Sequence, residues 1–366
     1  MLHSRLRPLP SAPSKQTPDP LFKDEDQDNN NNSGNDSDAE SPEDVFTSFL
    51  PHLFPDDAPS FHGDPGQHLL YSSPVFGDLK IMVPSYPFQS DKRTEEIAVG
   101  LSLGAEDEGR VNQVVAERRL FAHFLWSAAM VVAEGVERSV VSADMHADAD
   151  GANIWDVRGE SVLELGAGAA LPSLICALSH ASRVTITDHP SSPALSSAIA
   201  FNIDHNLSRR HTSTDIPTTK VTIEPHEWGT LDTPFAQANK GTFTRIIAAD
   251  CLWMRSQHEN LVRTMLWFLA DNNTEVGSQA NGSSSTKTKA RVWIAAGFHT
   301  GRAIVASFFD TAVRMGLVIE SIYERDLNSM APDGGEVRRD WVRIREGETS
   351  ENRRRWCVVA MLKGGP

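Results

Sequence analysis

Residues 162–174 read VLELGAGAALPSL, an apolar run that ends in Gly166-Ala167-Gly168 and passes into a helix-forming stretch. From Val162 to Leu165 the only polar side chain is Glu164, the pattern of a strand covered on both faces. The glycines let the backbone turn sharply and come close to a ligand, because no side chain intervenes. A dinucleotide fingerprint would need Gly or Ala three residues after Gly168, where Leu171 stands, followed by Pro172. That bulky pair fits a pyrophosphate cradle poorly. Glu164 beside the turn adds a negative charge, which suits a cationic ligand better than a phosphate.

Outward from this turn, short β-branched runs alternate with helical stretches, the mark of an α/β sheet with parallel strands. Strands are predicted over 161–165, 183–187, 221–224, 244–249, 291–296, 317–323 and 355–362, and helices over 169–179, 193–206, 256–270 and 302–315. Ser192 is the expected N-cap of the second helix, with Pro193 at its first position. Two strands follow the fourth helix without a clear helix between them, so the last is expected to run antiparallel beside the sixth. The expected fold is a Rossmann-like, seven-stranded, mostly parallel sheet with helices on both faces. Upstream, residues 119–137 (RLFAHFLWSAAMVVAEGVE) place Leu120, Phe124, Ala128, Val131 and Val132 on one helical face. Residues 139–151 read as a surface connection, and 272–289, rich in Ser, Thr, Gly and Asn, as a flexible insertion.

The flanking composition divides the chain further. Residues 1–43 are Pro, Ser, Asp and Asn with few large apolar side chains, too little to offset ordering entropy, so a disordered tail is expected there. Residues 44–110 form an extension: VFTSFLPHLF over 45–54, two β-like runs over 69–83 split by Gly77-Asp78 and expected to form a hairpin, and an acidic loop over 94–109. The domain proper is expected over 111–366. A net charge of -15 argues against a surface built to neutralise nucleic-acid phosphates. The three cysteines, Cys176, Cys251 and Cys357, are far apart and form no CxxC pair, so neither disulfides nor a metal site is expected. No apolar run approaches the roughly 18 residues of a membrane span. The N-terminus lacks a secretory apolar core, which makes the cytoplasm the expected compartment and the nucleus the second.

Polar residues at strand ends carry the chemistry. Asp188, about twenty residues beyond the glycines, can accept both ribose hydroxyls of an adenosine ligand; capping the next turn before Pro190 is its structural alternative. Asp250 closes the fourth strand and is followed by Cys251-Leu252-Trp253, which puts a carboxylate and an indole at the ligand edge of the sheet. Trp228, in HEWG after the third strand, can cover an adenine face. His299 and Arg302 in GFHTGR, after the fifth strand, are candidates for contact with a second substrate. His123 reads as a packing histidine, and the cluster Arg353-Arg354-Arg355 as a solvated strand entry.

FLWSAA (124–129), VLELGAGAALPSL (162–174), VTITDHP (184–190), HEWG (226–229) and IIAADCLWM (246–254) resemble the successive motifs of the seven-β-strand methyltransferase family that contains protein-lysine methyltransferases and fungal nicotinamide N-methyltransferase-like proteins. ALPSL, TDHP and GFHTGR are most similar to the fungal nicotinamide branch. The resemblance covers residues 119–363. It implies S-adenosylmethionine as cofactor, with Trp126 beside it, Gly166, Ala167, Gly168 and Glu164 toward its methionine part, Asp188 on ribose and Trp228 near adenine. It also implies Asp250 at the methyl group or substrate. Trp253 stands where related enzymes commonly carry Tyr, so the aromatic wall is kept without a hydroxyl. Methyl transfer to a nitrogen asks for alignment and desolvation of a neutral nucleophile, with Asp250 and Trp253 as the expected catalytic pair.

The expected acceptor is a protein lysine, a protein N-terminus or nicotinamide, and the expected state a monomer without nucleic-acid or membrane partners. A catalytically silent adaptor and an NAD-dependent oxidoreductase are the alternatives, the second opposed by Leu171-Pro172.

Overall fold

The computed structural model describes residues 2–9, 61–85, 124–145, 154–208, 219–271, 289–331 and 335–365. Its first elements are β1 (Leu6–Pro8), β2 (Phe61–His62), β3 (His68–Ser73), β4 (Gly77–Met82), β5 (Leu125–Trp126) and α1 (Ser127–Met145). The alternating region follows as β6 (Ser161–Leu165), α2 (Leu171–Leu178), β7 (Arg183–Asp188), α3 (Pro193–Ser196), α4 (Ala198–Leu207), β8 (Lys220–Pro225), α5 (Pro234–Ala238) and β9 (Arg245–Ala249). Then come α6 (His258–Phe268), β10 (Arg291–Gly297), α7 (Arg302–Arg314), β11 (Leu317–Met330), β12 (Glu336–Asp340), α8 (Ser350–Arg354) and β13 (Trp356–Gly364).

The main sheet has eight strands in the order β12-β11-β13-β10-β9-β6-β7-β8. Strands β6 to β10 run parallel, and β13 lies antiparallel between β10 and β11. Successive residues face opposite layers, as the pleat demands. Ile247, Trp293 and Val359 join Val131, Leu171 and Ile199 under α1, α2 and α4, while Ile246, Ile294 and Val358 join Leu261 and Phe308 under α6 and α7. The expected mostly parallel sheet with helices on both faces is the one observed. The chain winds outward from β6 through β7 to β8, then returns to β9 on the other side. This leaves a switch point at the carboxyl ends of β6 and β9, where ligands of such sheets bind.

Several boundaries depart from expectation. The sheet gains an eighth strand, β12, whose sequence EVRRD has no apolar face and is held by pairing with β11. The last strand inserts between the fifth and sixth as well as flanking the sixth. Helix α1 starts at Ser127, so Phe124 is not helical: Leu125 and Trp126 are drawn into extended pairing with His62 and Phe61. The same helix runs to Met145, into the stretch expected as a connection. Ser192 caps α3 as expected, accepting from the Ala194 N–H at 3.3 Å, but a break at Ser197 splits the single expected helix into α3 and α4.

The extension does form a hairpin, β3–β4, with Ser73 Oγ accepting the N–H groups of Val75 and Phe76 in the turn. Its outer edge docks on α4: Asn202 Oδ1 accepts the Met82 N–H at 2.6 Å, and Asn206 Oδ1 accepts the Lys80 N–H at 3.0 Å. Residues 2–9 are ordered on the domain rather than disordered. β1 pairs with β3, Leu2 is buried, and Arg5 donates to Glu137 at 2.6 Å and Glu134 at 3.1 Å on α1. Two ion pairs of Arg5 and two leucines, Leu2 and Leu6, anchor this short stretch despite its composition. The expectations for 10–60, the acidic loop 94–109, Leu120, His123 and the insertion 272–288 lie outside the described residues. No helix among the described residues is long and apolar enough to cross a membrane.

Candidate active site

The carboxyl ends of β6, β7, β8 and β9 open onto a cleft of about 770 Å³, continuous with solvent. Gly166 and Gly168 form its floor with left-handed φ values of +64° and +53°. At Gly166 a Cβ would stand 3.1 Å from both Cys251 Sγ and the Trp228 indole, so a side chain there would press on that wall as well as strain the left-handed backbone. At Gly168 a Cβ would meet nothing within 4 Å, because the position faces open cleft. Ala167 between them is buried and donates its N–H to the Thr187 carbonyl at 3.0 Å, holding the turn without joining the cleft wall.

Asp188, the last residue of β7, both caps and lines. Its Oδ2 accepts the Gly168 N–H at 2.8 Å and its Oδ1 the His189 N–H at 2.7 Å. Burial pushes its carboxyl above the usual range, opposed by those N–H groups, which favour the charged form. Glu164 departs from expectation. It is buried beneath the turn, accepts the Ser173 N–H at 3.1 Å and is absent from the cleft wall. Burial pushes its carboxyl up to about 8, which favours the uncharged form and weakens the negative field expected of it.

Asp250, one residue past β9, takes φ +59°, a strained conformation for a residue with a side chain. It is held there by its N–H to the Ala295 carbonyl at 2.7 Å and by the Gly297 N–H donating to Oδ1 at 3.1 Å. Burial raises its pKa, while the nearby His299 lowers it. Trp253 and Trp126 line the same cleft, as does Trp228. The structure therefore brings together Trp126, Gly166, Gly168, Asp188, Trp228, Asp250 and Trp253, drawn from five separate stretches of chain.

His299 stands one layer back. Its ring stacks on Trp126 with centroids 4.4 Å apart, and its Nδ1 is 3.8 Å from Asp250 Oδ1. Arg302, expected to meet a second substrate, does not: its guanidinium turns into a buried ion cluster. Nη1 donates to Glu324 at 2.5 Å and to the Val342 carbonyl at 2.8 Å, Nη2 to Glu324 at 3.1 Å and Glu348 at 2.7 Å, and Nε to Glu348 at 3.0 Å. All five N–H groups are engaged, leaving no donor for a ligand.

Wall residues missed in the sequence include Phe124, His189, His226, Met254 and Gln257. His189 and His226 directly follow β7 and β8; both stood in quoted motifs, VTITDHP and HEWG, without being given a role. Burial lowers the pKa of His226 to about 4 and keeps its ring neutral. The wall carries two carboxylates and three indoles and, among the described residues, no Lys or Arg. A pyrophosphate would meet carboxylates without a counter-charge. An adenosine bearing a sulfonium and an ammonium fits the donor set, with open space over Gly168 to receive it.

A family model described as lysine methyltransferase matches residues 110–288. A Protein N-terminal and lysine N-methyltransferase EFM7 of Cryptococcus neoformans var. neoformans serotype D (strain B-3501A) is 28% identical over 175 residues, covering 47% of this chain and 51% of that protein. Its namesake in Candida albicans is 33% identical over 165 residues, 44% of this chain and 57% of that protein. That of Gibberella zeae is 28% identical over 214 residues, 57% of this chain and 70% of that protein. The chain thus spans about half the length of the first curated relatives it matches. The family match runs from before α1 to beyond α6, across every strand end that opens onto the cleft. Residues 110–288 of this chain thus match the lysine methyltransferase family, one of the seven-β-strand S-adenosylmethionine-dependent methyltransferase families.

Proposed function

We propose that this chain is an S-adenosylmethionine-dependent N-methyltransferase whose acceptor is a protein amine, an N-terminus or a lysine. The observation that carries this reading is Asp250: a buried carboxylate, held in a strained backbone conformation, on a cleft it shares with Trp126, Trp253 and the glycine turn. When bound, S-adenosylmethionine would supply an electrophilic sulfonium methyl: the N–C bond to a neutral nitrogen would form as the C–S bond breaks, with sulfur leaving as the neutral thioether. Gly166 and Gly168 would give the methionine part room, Asp188 would accept from ribose hydroxyls, and Trp228 would cover the adenine. Asp250 accepts a hydrogen bond from the acceptor N–H and so aims the nitrogen lone pair. It then takes up the proton that the methylated nitrogen sheds. Trp126 and Trp253 exclude water and face the positive charge of the product.

A protein acceptor is favoured over nicotinamide because the curated relatives cited above carry protein-methyltransferase names. A cytoplasmic or nuclear location goes with three free, buried thiols. The test is purified protein with tritiated S-adenosylmethionine, offered lysate protein and, separately, nicotinamide. Label in protein bands that vanishes when lysate amines are first acetylated supports the proposal. Label in nicotinamide alone overturns the acceptor class, and absence of S-adenosylhomocysteine binding by calorimetry overturns the activity.

A further inference from the structure

The family match begins at residue 110, yet the cleft wall is braced by a residue well upstream of it. Strand β2 pairs with β5, Phe61 opposite Trp126 and His62 opposite Leu125. The Phe61 ring lies 4.4 Å from Phe124 and 5.7 Å, edge-on, from Trp126, and both of these line the cleft. His62 Nε2 forms a 2.9 Å hydrogen bond with Ser127 Oγ at the start of α1, fastening the pair at its other end. Trp126 in turn stacks on His299 at 4.4 Å with an interplanar angle of 27°, and His299 Nδ1 is 3.8 Å from Asp250 Oδ1. One contact chain thus runs from the extension to the carboxylate after β9: Phe61, Trp126, His299, Asp250.

We infer that Phe61 is a positioning residue for methyl transfer, setting the plane of Trp126 and, through His299, the orientation of Asp250. This rests on the proposed methyltransferase activity. An indole has two broad choices at its second side-chain torsion. Edge packing by Phe61 on one side and stacking by His299 on the other select one. His299 is then held at a fixed distance from Asp250 by the same stack. Without Phe61, the indole can tilt, the imidazole can follow, and the carboxylate loses the neighbouring ring that stands 3.8 Å from it. The glycine turn hangs from a different support: Asn202 Nδ2 donates to the Ala169 carbonyl at 2.8 Å and to the Met82 carbonyl at 3.0 Å. Losing Phe61 therefore disturbs the acceptor side and spares the cofactor floor.

The experiment compares wild type, Phe61→Ala, Phe61→Tyr, His299→Gln and the Phe61→Ala/His299→Gln double variant in the full chain. For each, melting temperature, S-adenosylhomocysteine affinity by calorimetry, and initial rate of tritium transfer to lysate protein at several lysate concentrations are measured. Phe61→Ala is expected to keep its affinity within about twofold while its maximal rate falls tenfold or more, and Phe61→Tyr to recover most of that rate. The double variant is expected to lie within about threefold of the worse single, because both act along one chain of contacts. Multiplying losses in the double variant, or a rate loss in Phe61→Ala matched by an equal loss of affinity, overturns the inference. So does a normal rate in folded Phe61→Ala. Wild type that binds S-adenosylhomocysteine and labels nothing overturns the proposed activity itself, and the inference with it.

Discussion

Replacing Asp188 with Ala removes, in one step, the acceptor for two backbone N–H groups, Gly168 at 2.8 Å and His189 at 2.7 Å, and a carboxylate on the cleft wall. Hydrogen bonds to a charged acceptor contribute about 1.5–3 kcal/mol each when the partner is buried. For the ligand, loss of one such acceptor weakens binding by about 1.5–3 kcal/mol, roughly tenfold to 150-fold in Kd. For the fold, the loss of two turn-fixing bonds is partly offset, because burial already pushes this carboxyl above its usual range and its removal relieves that cost. The protein should therefore stay folded, with the glycine turn loosened. Asp188→Asn is expected to fall between: one oxygen still accepts, while the amide N–H that replaces the other faces a backbone N–H. Calorimetric titration with S-adenosylhomocysteine, alongside thermal melting of both variants, reads the two effects separately. An unchanged Kd in folded Asp188→Ala would remove Asp188 from the ligand site and leave it as a turn cap alone.

Asp250→Asn and Trp253→Ala should spare S-adenosylhomocysteine affinity and lower turnover by about ten- to a thousandfold, about 1.4–4 kcal/mol of barrier; single-turnover rates at the wild-type level in folded Asp250→Asn would end that role. Glu164, with a folded pKa of about 8 against an ordinary value of 4.5, binds its proton more tightly in the folded state. Its contribution is fully present below about pH 4.5 and is lost as pH rises through 8. Glu164→Gln should thus gain melting temperature over wild type as pH goes from 5 to 9, and a pH-independent difference contradicts the burial account. Arg5→Ala leaves Glu137 buried without its cation and should cost about 1–3 kcal/mol of stability in denaturant melts. An unchanged midpoint would mean that residues 2–9 do not dock in solution.

The core strands were legible because each of β6, β7, β9 and β10 is buried on both faces and reads as a short apolar run between turn signals. The wall of the candidate cleft was legible for a related reason. Ligand groups of such a sheet sit where strands end, so Asp188, Trp228 and Asp250 could be named from position alone. Short-range patterns also set the Ser192 cap and the hairpin of the extension.

What the chain could not reveal locally depends on partners far along it. EVRRD has no alternation of its own and becomes β12 only because β11 offers an edge. Phe124 and Trp126 leave the helical pattern because Phe61 and His62, over sixty residues earlier, pair with the chain there. Arg302 looks like a substrate ligand in GFHTGR until Glu324 and Glu348 close on it. Glu164 looks like a charge until burial under the glycine turn favours its uncharged form. Propensity and periodicity act over a few residues and are written in the chain itself. Burial, ion pairing and the protonation they impose are set by contacts between distant segments, and only the packed structure decides them.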